Sequence, residues 1–149
     1  MQELEKIWMN GELLPWKEAK VHVLTHALHY GTAIFEGIRC YKTNTGPAIF
    51  RLSDHLERLY NSAHIVRMTI PYSPKEIDRG IIDTIKANEV EECYIRPIVF
   101  RGYGEMGVDP SSCGVDCAIA VWCWGAYMGE KGIEEGIRAK ISSYTRTYI

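Results

Sequence analysis

Ala33-Ile34-Phe35-Glu36-Gly37-Ile38-Arg39-Cys40-Tyr41 reads as a β-strand, Thr43-Asn44-Thr45-Gly46 as a turn, and Pro47-Ala48-Ile49-Phe50-Arg51-Leu52 as the strand that returns. Branched and aromatic side chains suit a pleated, half-buried surface, and Asn and Gly supply the turn. Upstream, Ile7-Trp8-Met9, Asn10-Gly11 and Glu12-Leu13-Leu14 give a second hairpin, because Asn-Gly takes the positive φ of a type I′ turn. Downstream the apolar period changes. Ser53 stands as N-cap with Asp54 in the first turn, and Leu56, Leu59, Tyr60 and Ala63 follow at helical spacing, which predicts a helix over 54–66. Ser73-Pro74-Lys75-Glu76 is a capping box with proline at the first helical position. Ile77, Ile81, Ile82 and Ile85 form the stripe of that second helix, which ends near Asn88. Residues 93–101 and 115–124 read as strands, and 137–144 is expected as a final strand. Strands, two helices, then strands is no βαβα alternation. The expected class is α+β, a mostly antiparallel sheet packed with two helices.

The 149 residues amount to one domain, with hydrophobic and charged fractions of 46% and 24% that favour a globular chain over a disordered one. With 17 basic against 19 acidic residues the net charge is −2, which weighs against nucleic-acid binding driven by bulk charge. The sequence holds no apolar run of membrane-spanning length, and its first residues lack a signal-peptide pattern, so no membrane association is expected. The five cysteines, Cys40, Cys93, Cys113, Cys117 and Cys123, include no CxxC pair. Cys93, Cys117 and Cys123 fall in apolar strand-like runs, where a thiol acts as a small hydrophobe. A reducing, cytoplasmic location is expected.

Five constellations could carry chemistry. Residues 102–107, Gly-Tyr-Gly-Glu-Met-Gly, spell GxGxxG after a strand. The dinucleotide fingerprint must open a helix, and Val108-Asp109-Pro110-Ser111-Ser112 is turn chemistry, so the glycines read as a loop. His22, His26 and His29 fall at i, i+4 and i+7, a metal-binding spacing on a helix, but Val21, Val23 and Leu24 are strand-like and Gly31 breaks the segment. No metal site is expected. Arg58, four residues after Asp54, is either a surface ion pair or a phosphate clamp. Arg96, between Ile95 and Pro97, and Arg39 lie in apolar strands, where a buried guanidinium needs an anion. Aromatics gather at residues 122–127, Trp-Cys-Trp-Gly-Ala-Tyr, and at Tyr30, Phe35 and Tyr94, as sheet packing or as walls of an apolar pocket.

Six stretches stand out together: Ile7-Trp8-Met9-Asn10-Gly11-Glu12, His26-Ala27-Leu28-His29-Tyr30-Gly31-Thr32 through Tyr41, Phe50-Arg51 through Arg58-Leu59, Tyr94-Ile95-Arg96-Pro97, Met106-Gly107-Val108-Asp109-Pro110 and Trp124-Gly125-Ala126-Tyr127. With them the chain resembles the N-terminal domain of branched-chain amino acid aminotransferases, of the fold type IV (D-alanine aminotransferase-like) pyridoxal-phosphate enzymes. The resemblance implies transamination of branched-chain L-amino acids with 2-oxoglutarate on pyridoxal 5′-phosphate. It implies that Arg58 binds the cofactor's phosphate. Tyr94 would hold the substrate α-carboxylate, and Arg96 the distal carboxylate of glutamate or 2-oxoglutarate. Phe35, Gly37, Trp124 and Tyr127 would wall the side-chain pocket, with Arg39 counted among the substrate-binding residues. Tyr30 and Val108 would be lent to the neighbouring subunit's site, which implies a homodimer or higher homo-oligomer.

The family's Schiff-base lysine follows a strand that matches Ser142-Ser143-Tyr144. None of the eight lysines present matches it, so it is expected beyond Ile149. Residues 1–127 would be the small domain, and 128–149 the interdomain linker and first strand of a C-terminal domain. The alternatives are a D-amino acid aminotransferase, an aminodeoxychorismate lyase of the same fold, or a non-catalytic dimerisation or ligand-binding module. The Tyr-Ile-Arg-Pro and Trp-Gly-Ala-Tyr blocks favour the branched-chain branch.

Overall fold

The computed structural model describes residues 3–124, 132 and 134–145. Strands β1 (Lys6–Met9) and β2 (Glu12–Pro15) form the expected hairpin, with Asn10 at φ +49° and Gly11 at φ +95°. A 3₁₀ turn (Trp16–Glu18) and a short helix α1 (His26–Tyr30) lead to β3 (Ala33–Phe35), β4 (Ile38–Thr43) and β5 (Gly46–Ile49). Helices α2 (Leu52–Ile65) and α3 (Pro74–Ala87) follow, then β6 (Cys93–Arg101) and β7 (Val115–Trp122). Among the described residues these strands make one seven-stranded sheet in the order β2-β1-β7-β6-β4-β5, with β3 also on β6 and every pairing antiparallel. The expected class, α+β with a mostly antiparallel sheet, is what the chain adopts, with short α1 added to the two long helices.

The stretch expected as one strand from Ala33 to Tyr41 is divided. Phe35 pairs with Ile98 and Ile38 with Ile95, so the register against β6 runs unbroken through Glu36 and Gly37, yet the ladder lapses there. Glu36 faces Pro97 and donates its N–H to the Pro97 carbonyl at 3.0 Å. Proline has no N–H to return, so the reciprocal bond cannot form.

One sheet face carries Ile38, Cys40, Cys93, Ile95, Val99, Cys117, Ile119 and Val121, buried beneath α2 and α3. Leu56, Leu59 and Ala63 of α2 and Ile77, Ile81 and Ile85 of α3 complete this core. Each buried aliphatic side chain contributes about 1.5–3 kcal/mol. Ile82 is only half-buried, and Gly80 and Thr84 take its place in the stripe. The capping box at Ser73 and Glu76 forms as read. Ser53 is not the N-cap of α2. Arg51 takes that position at φ +49°, held by its Nε–Asp54 contact of 2.7 Å, so the helix starts two residues early.

Two further expectations are corrected. Residues 137–144 form no strand. Ile141 is 95% and Tyr144 90% exposed, and no described strand pairs with them, so the alternating pattern there lacks the ladder that would hold it. Cys123 lies just past β7 and is exposed, whereas Cys40, Cys93, Cys113 and Cys117 are buried, all as free thiols. Burial pushes the Cys93 and Cys117 thiols up to about 12. Among the described residues no helix is long and apolar enough to cross a membrane.

Candidate active site

The lapse at Glu36-Gly37 places two chemistries back to back, because successive residues of an extended chain point to opposite faces. Glu36 points to the helix side and is 4% exposed. Its carboxylate accepts from Arg58 at Nε (2.6 Å) and Nη2 (2.5 Å), and from His55 Nδ1 at 2.9 Å. Carboxylate oxygens only accept, so His55 Nδ1 carries the proton in that bond. Burial alone raises the Glu36 carboxyl. The bonds and charges of Arg58 and His55 outweigh it and hold the group below its ordinary value of 4.5. Arg58 does not pair with Asp54, which is held by Arg51. Its guanidinium is oriented by a buried anion while its side chain stays 65% exposed. Nη1 makes no hydrogen bond to the described residues. That leaves one fixed edge of donors for a phosphate-sized anion.

Gly37 opens the other face. A Cβ there would overlap the Tyr94 hydroxyl, so only glycine admits the ring. Arg96, two residues along β6 from Tyr94, donates from Nη2 to the Tyr94 oxygen at 3.0 Å. Its guanidinium sits 4.3 Å from the Phe35 ring centre, 5.2 Å from Tyr94 and 5.8 Å from Trp122. Arg96 Nε is buried without a partner among the described residues. Tyr94, Trp122 and Trp124 form a wall, with centroids 4.7–5.8 Å apart. Arg39, opposite Tyr94, donates from Nη1 to the Trp124 carbonyl at 3.3 Å and lies 3.7 Å from Glu92, so its charge steadies the wall.

Phe35, Gly37, Arg39, Tyr94, Arg96 and Trp124 therefore come together. Arg58 lies across the strand from them, beside Glu36. Tyr30 and Val108 do not join this cluster by any described contact; they are 43% and 88% exposed, at the end of α1 and in the β6–β7 loop. Tyr127 lies outside the described residues. The three histidines do not converge. His22 Nδ1 accepts from Leu24 N at 3.1 Å, His29 Nε2 donates to the Val23 carbonyl at 2.9 Å, and His26 is bonded elsewhere. The GxGxxG stretch is a loop closed by a Gly102 N–Gly114 O bond, and residues 108–114 directly after it are turn and coil, not helix.

The sequence profile of the family described as "Amino-transferase class IV" matches residues 33–147. The chain belongs to the class IV aminotransferases. Within that family it is similar to a branched-chain-amino-acid aminotransferase of Pseudomonas aeruginosa, at 50% identity over 96% of this chain and 47% of that protein. It superposes on a crystal structure of the Escherichia coli branched-chain amino acid aminotransferase with a TM-score of 0.92 and 45% identity, covering 97% of this chain and 48% of that one. A T.th. branched-chain amino acid aminotransferase complexed with N-(5′-phosphopyridoxyl)-L-glutamate gives a TM-score of 0.81 and 48% identity, over 85% and 42%. The chain thus spans about half the length of the curated relatives it matches.

Sequence reading of this class IV aminotransferase chain overlooked Glu36 and His55. A signal existed for Glu36. It sits between Phe35 and Gly37, so if those face a pocket, alternation turns the carboxylate into the core, where it needs a cation. No comparable signal marks His55, whose place depends on the packing of α2 against β3.

Proposed function

We propose that the complete protein transfers amino groups between branched-chain L-amino acids (Leu, Ile, Val) and 2-oxoglutarate, using pyridoxal 5′-phosphate. The observation that carries this reading is the Arg96 guanidinium held in a cage of aromatic rings beside the Tyr94 hydroxyl. A purely apolar side-chain pocket has no use for that charge, and a purely acidic substrate has no use for those rings.

The residues divide the work. Arg58, fixed by Glu36 and His55, binds the cofactor's phosphate through its outward edge. When bound, the cofactor supplies the electron sink that lets an α-amino group be exchanged. Because the Tyr94 oxygen already accepts from Arg96, its own O–H is free to donate to a substrate α-carboxylate. Arg96 receives the distal carboxylate of 2-oxoglutarate or glutamate. When a leucine side chain occupies the pocket, Phe35, Tyr94 and Trp122 shield the charge by cation–π contact, about 0.5–2 kcal/mol per ring. Gly37 keeps room for the Tyr94 ring. Trp124, steadied by Arg39, and Tyr127 wall the apolar side.

Tyr30 and Val108 reach the pocket of a second copy, making the protein a homodimer or a higher homo-oligomer. Their exposure supports this, as does that of Val23, Leu28, Tyr103 and Met106 around them. Residues 1–127 form the small domain, and 128–149 the link to a second domain that carries the reactive lysine. The free, mostly buried thiols support a cytoplasmic location.

Borohydride reduction of the complete protein with pyridoxal phosphate, followed by intact-mass and peptide analysis, tests the cofactor assignment. One pyridoxyl group per chain, on a lysine outside residues 1–149, is the expected result. A protein without a stoichiometric adduct would contradict it.

A further inference from the structure

His26 is wholly buried at the first position of α1 and touches both segments that carry the exposed pair Tyr30 and Val108. Its ring stacks on Tyr30 with centroids 4.4 Å apart and planes at 29°. Its Nε2 lies 2.7 Å from the carbonyl oxygen of Gly107, the residue before Val108. A carbonyl can only accept, so Nε2 carries the proton. In the neutral ring, Nδ1 then accepts from the Thr32 hydroxyl at 2.9 Å. The ring is held at both nitrogens and on one face. The main chain is tied at the same place, since His26 N donates to Gly102 O at 3.0 Å and Thr25 bridges Tyr103.

This arrangement exceeds what a helix start requires. Gly107 and Val108 sit in a glycine-rich loop, and a Cβ added at Gly107 would meet nothing within 4 Å. A loop in open space holds its position through its hydrogen bonds, and the bond from His26 connects this one to Tyr30. We propose that His26 is a positioning residue for the neighbouring subunit's pocket, locking Tyr30 and Val108 to each other so that both cross the dimer interface as one rigid unit. This rests on the reading above that Tyr30 and Val108 serve the partner's site. Groups that line a reaction pocket lose much of their effect when misplaced by about 1 Å.

The test uses the complete protein. His26→Phe keeps a ring against Tyr30 and loses the bond to Gly107; His26→Gln keeps a donor near Nε2 and loses the stack. Both are expected to raise KM for leucine and 2-oxoglutarate on the order of tenfold, with kcat changed less. Thr32→Val, which only unpins Nδ1, should raise KM by a smaller factor, and it decides the matter if the His26 variants do not fold. The discriminating measurement is a heterodimer of one His26→Phe subunit and one Arg96→Met subunit. There, the site with an intact Arg96 receives Tyr30 and Val108 from a chain with an intact His26. Its KM for 2-oxoglutarate should return to the wild-type value. Unchanged KM in the single variants, or a KM that stays raised in the heterodimer, would overturn the proposal. A wild-type protein that does not transaminate would instead overturn the functional reading, and that is seen before any variant is made.

Discussion

Arg96→Met should lower kcat/KM for 2-oxoglutarate and glutamate by about thirty- to a thousand-fold, and for leucine by only about tenfold or less, the effect of removing one hydrogen bond to Tyr94. Truncating one partner of a desolvated, hydrogen-bonded charge pair costs about 2–4 kcal/mol, which sets this range. The asymmetry follows from the cage. Methionine keeps the packing volume between Phe35, Tyr94 and Trp122 and supplies sulfur–aromatic contacts, so an apolar side chain still finds a complete wall. The distal carboxylate of 2-oxoglutarate finds no cation. Half-reaction kinetics, with leucine and glutamate each presented alone, separate the two effects. Equal losses for both would mean that Arg96 supports the sheet face and not a carboxylate.

Glu36→Gln is expected to weaken pyridoxal phosphate binding on the order of tenfold, measured by fluorescence titration. Partners that orient a ligating group typically carry about 10–100-fold in affinity at metal sites, and Glu36 has the same relation to Arg58. Arg58→Gln should weaken binding further, and His55→Gln less. The Glu36 carboxyl is lowered from its ordinary value of 4.5 by Arg58 and His55 against the opposing effect of burial. Its contribution to stability is therefore fully present above about that pH and lost as pH falls through the lower folded value. Wild-type protein should lose stability steeply below pH 4.5, and the Glu36→Gln variant should show a shallower acid limb. An unchanged cofactor affinity in Glu36→Gln would show that the ion pair serves only the fold.

Much of this was legible in the sequence because the deciding signals are local. Asn10-Gly11 dictates its turn, Ser73-Pro74-Lys75-Glu76 dictates its helix start, and two-residue alternation in Cys93–Arg101 sorts Ile95 inward from Arg96 outward. The elements that local signals leave open depend on partners distant in the chain or on a turn closed before the expected cap. Whether Ala33 to Tyr41 is one strand or two depends on Pro97, which lies opposite Glu36 only once the sheet is assembled. Ser53 looks like a cap until Arg51 and Asp54 close the turn before it. Residues 137–144 have strand character and no ladder among the described residues. The site divides in the same way. Arg58 and Arg96 stand out as charges in amphipathic or apolar contexts. Glu36 and His55 matter because α2 lies over the break in the sheet, which no single segment reveals.

The most direct measurement is steady-state amino transfer by the complete protein, supplied with pyridoxal phosphate and 2-oxoglutarate, across L- and D-forms of leucine, isoleucine, valine and alanine. Glutamate should form from the three branched-chain L-amino acids, with little from either form of alanine. Preference for a D-amino acid, or no glutamate from L-leucine in a protein that binds the cofactor, would contradict it.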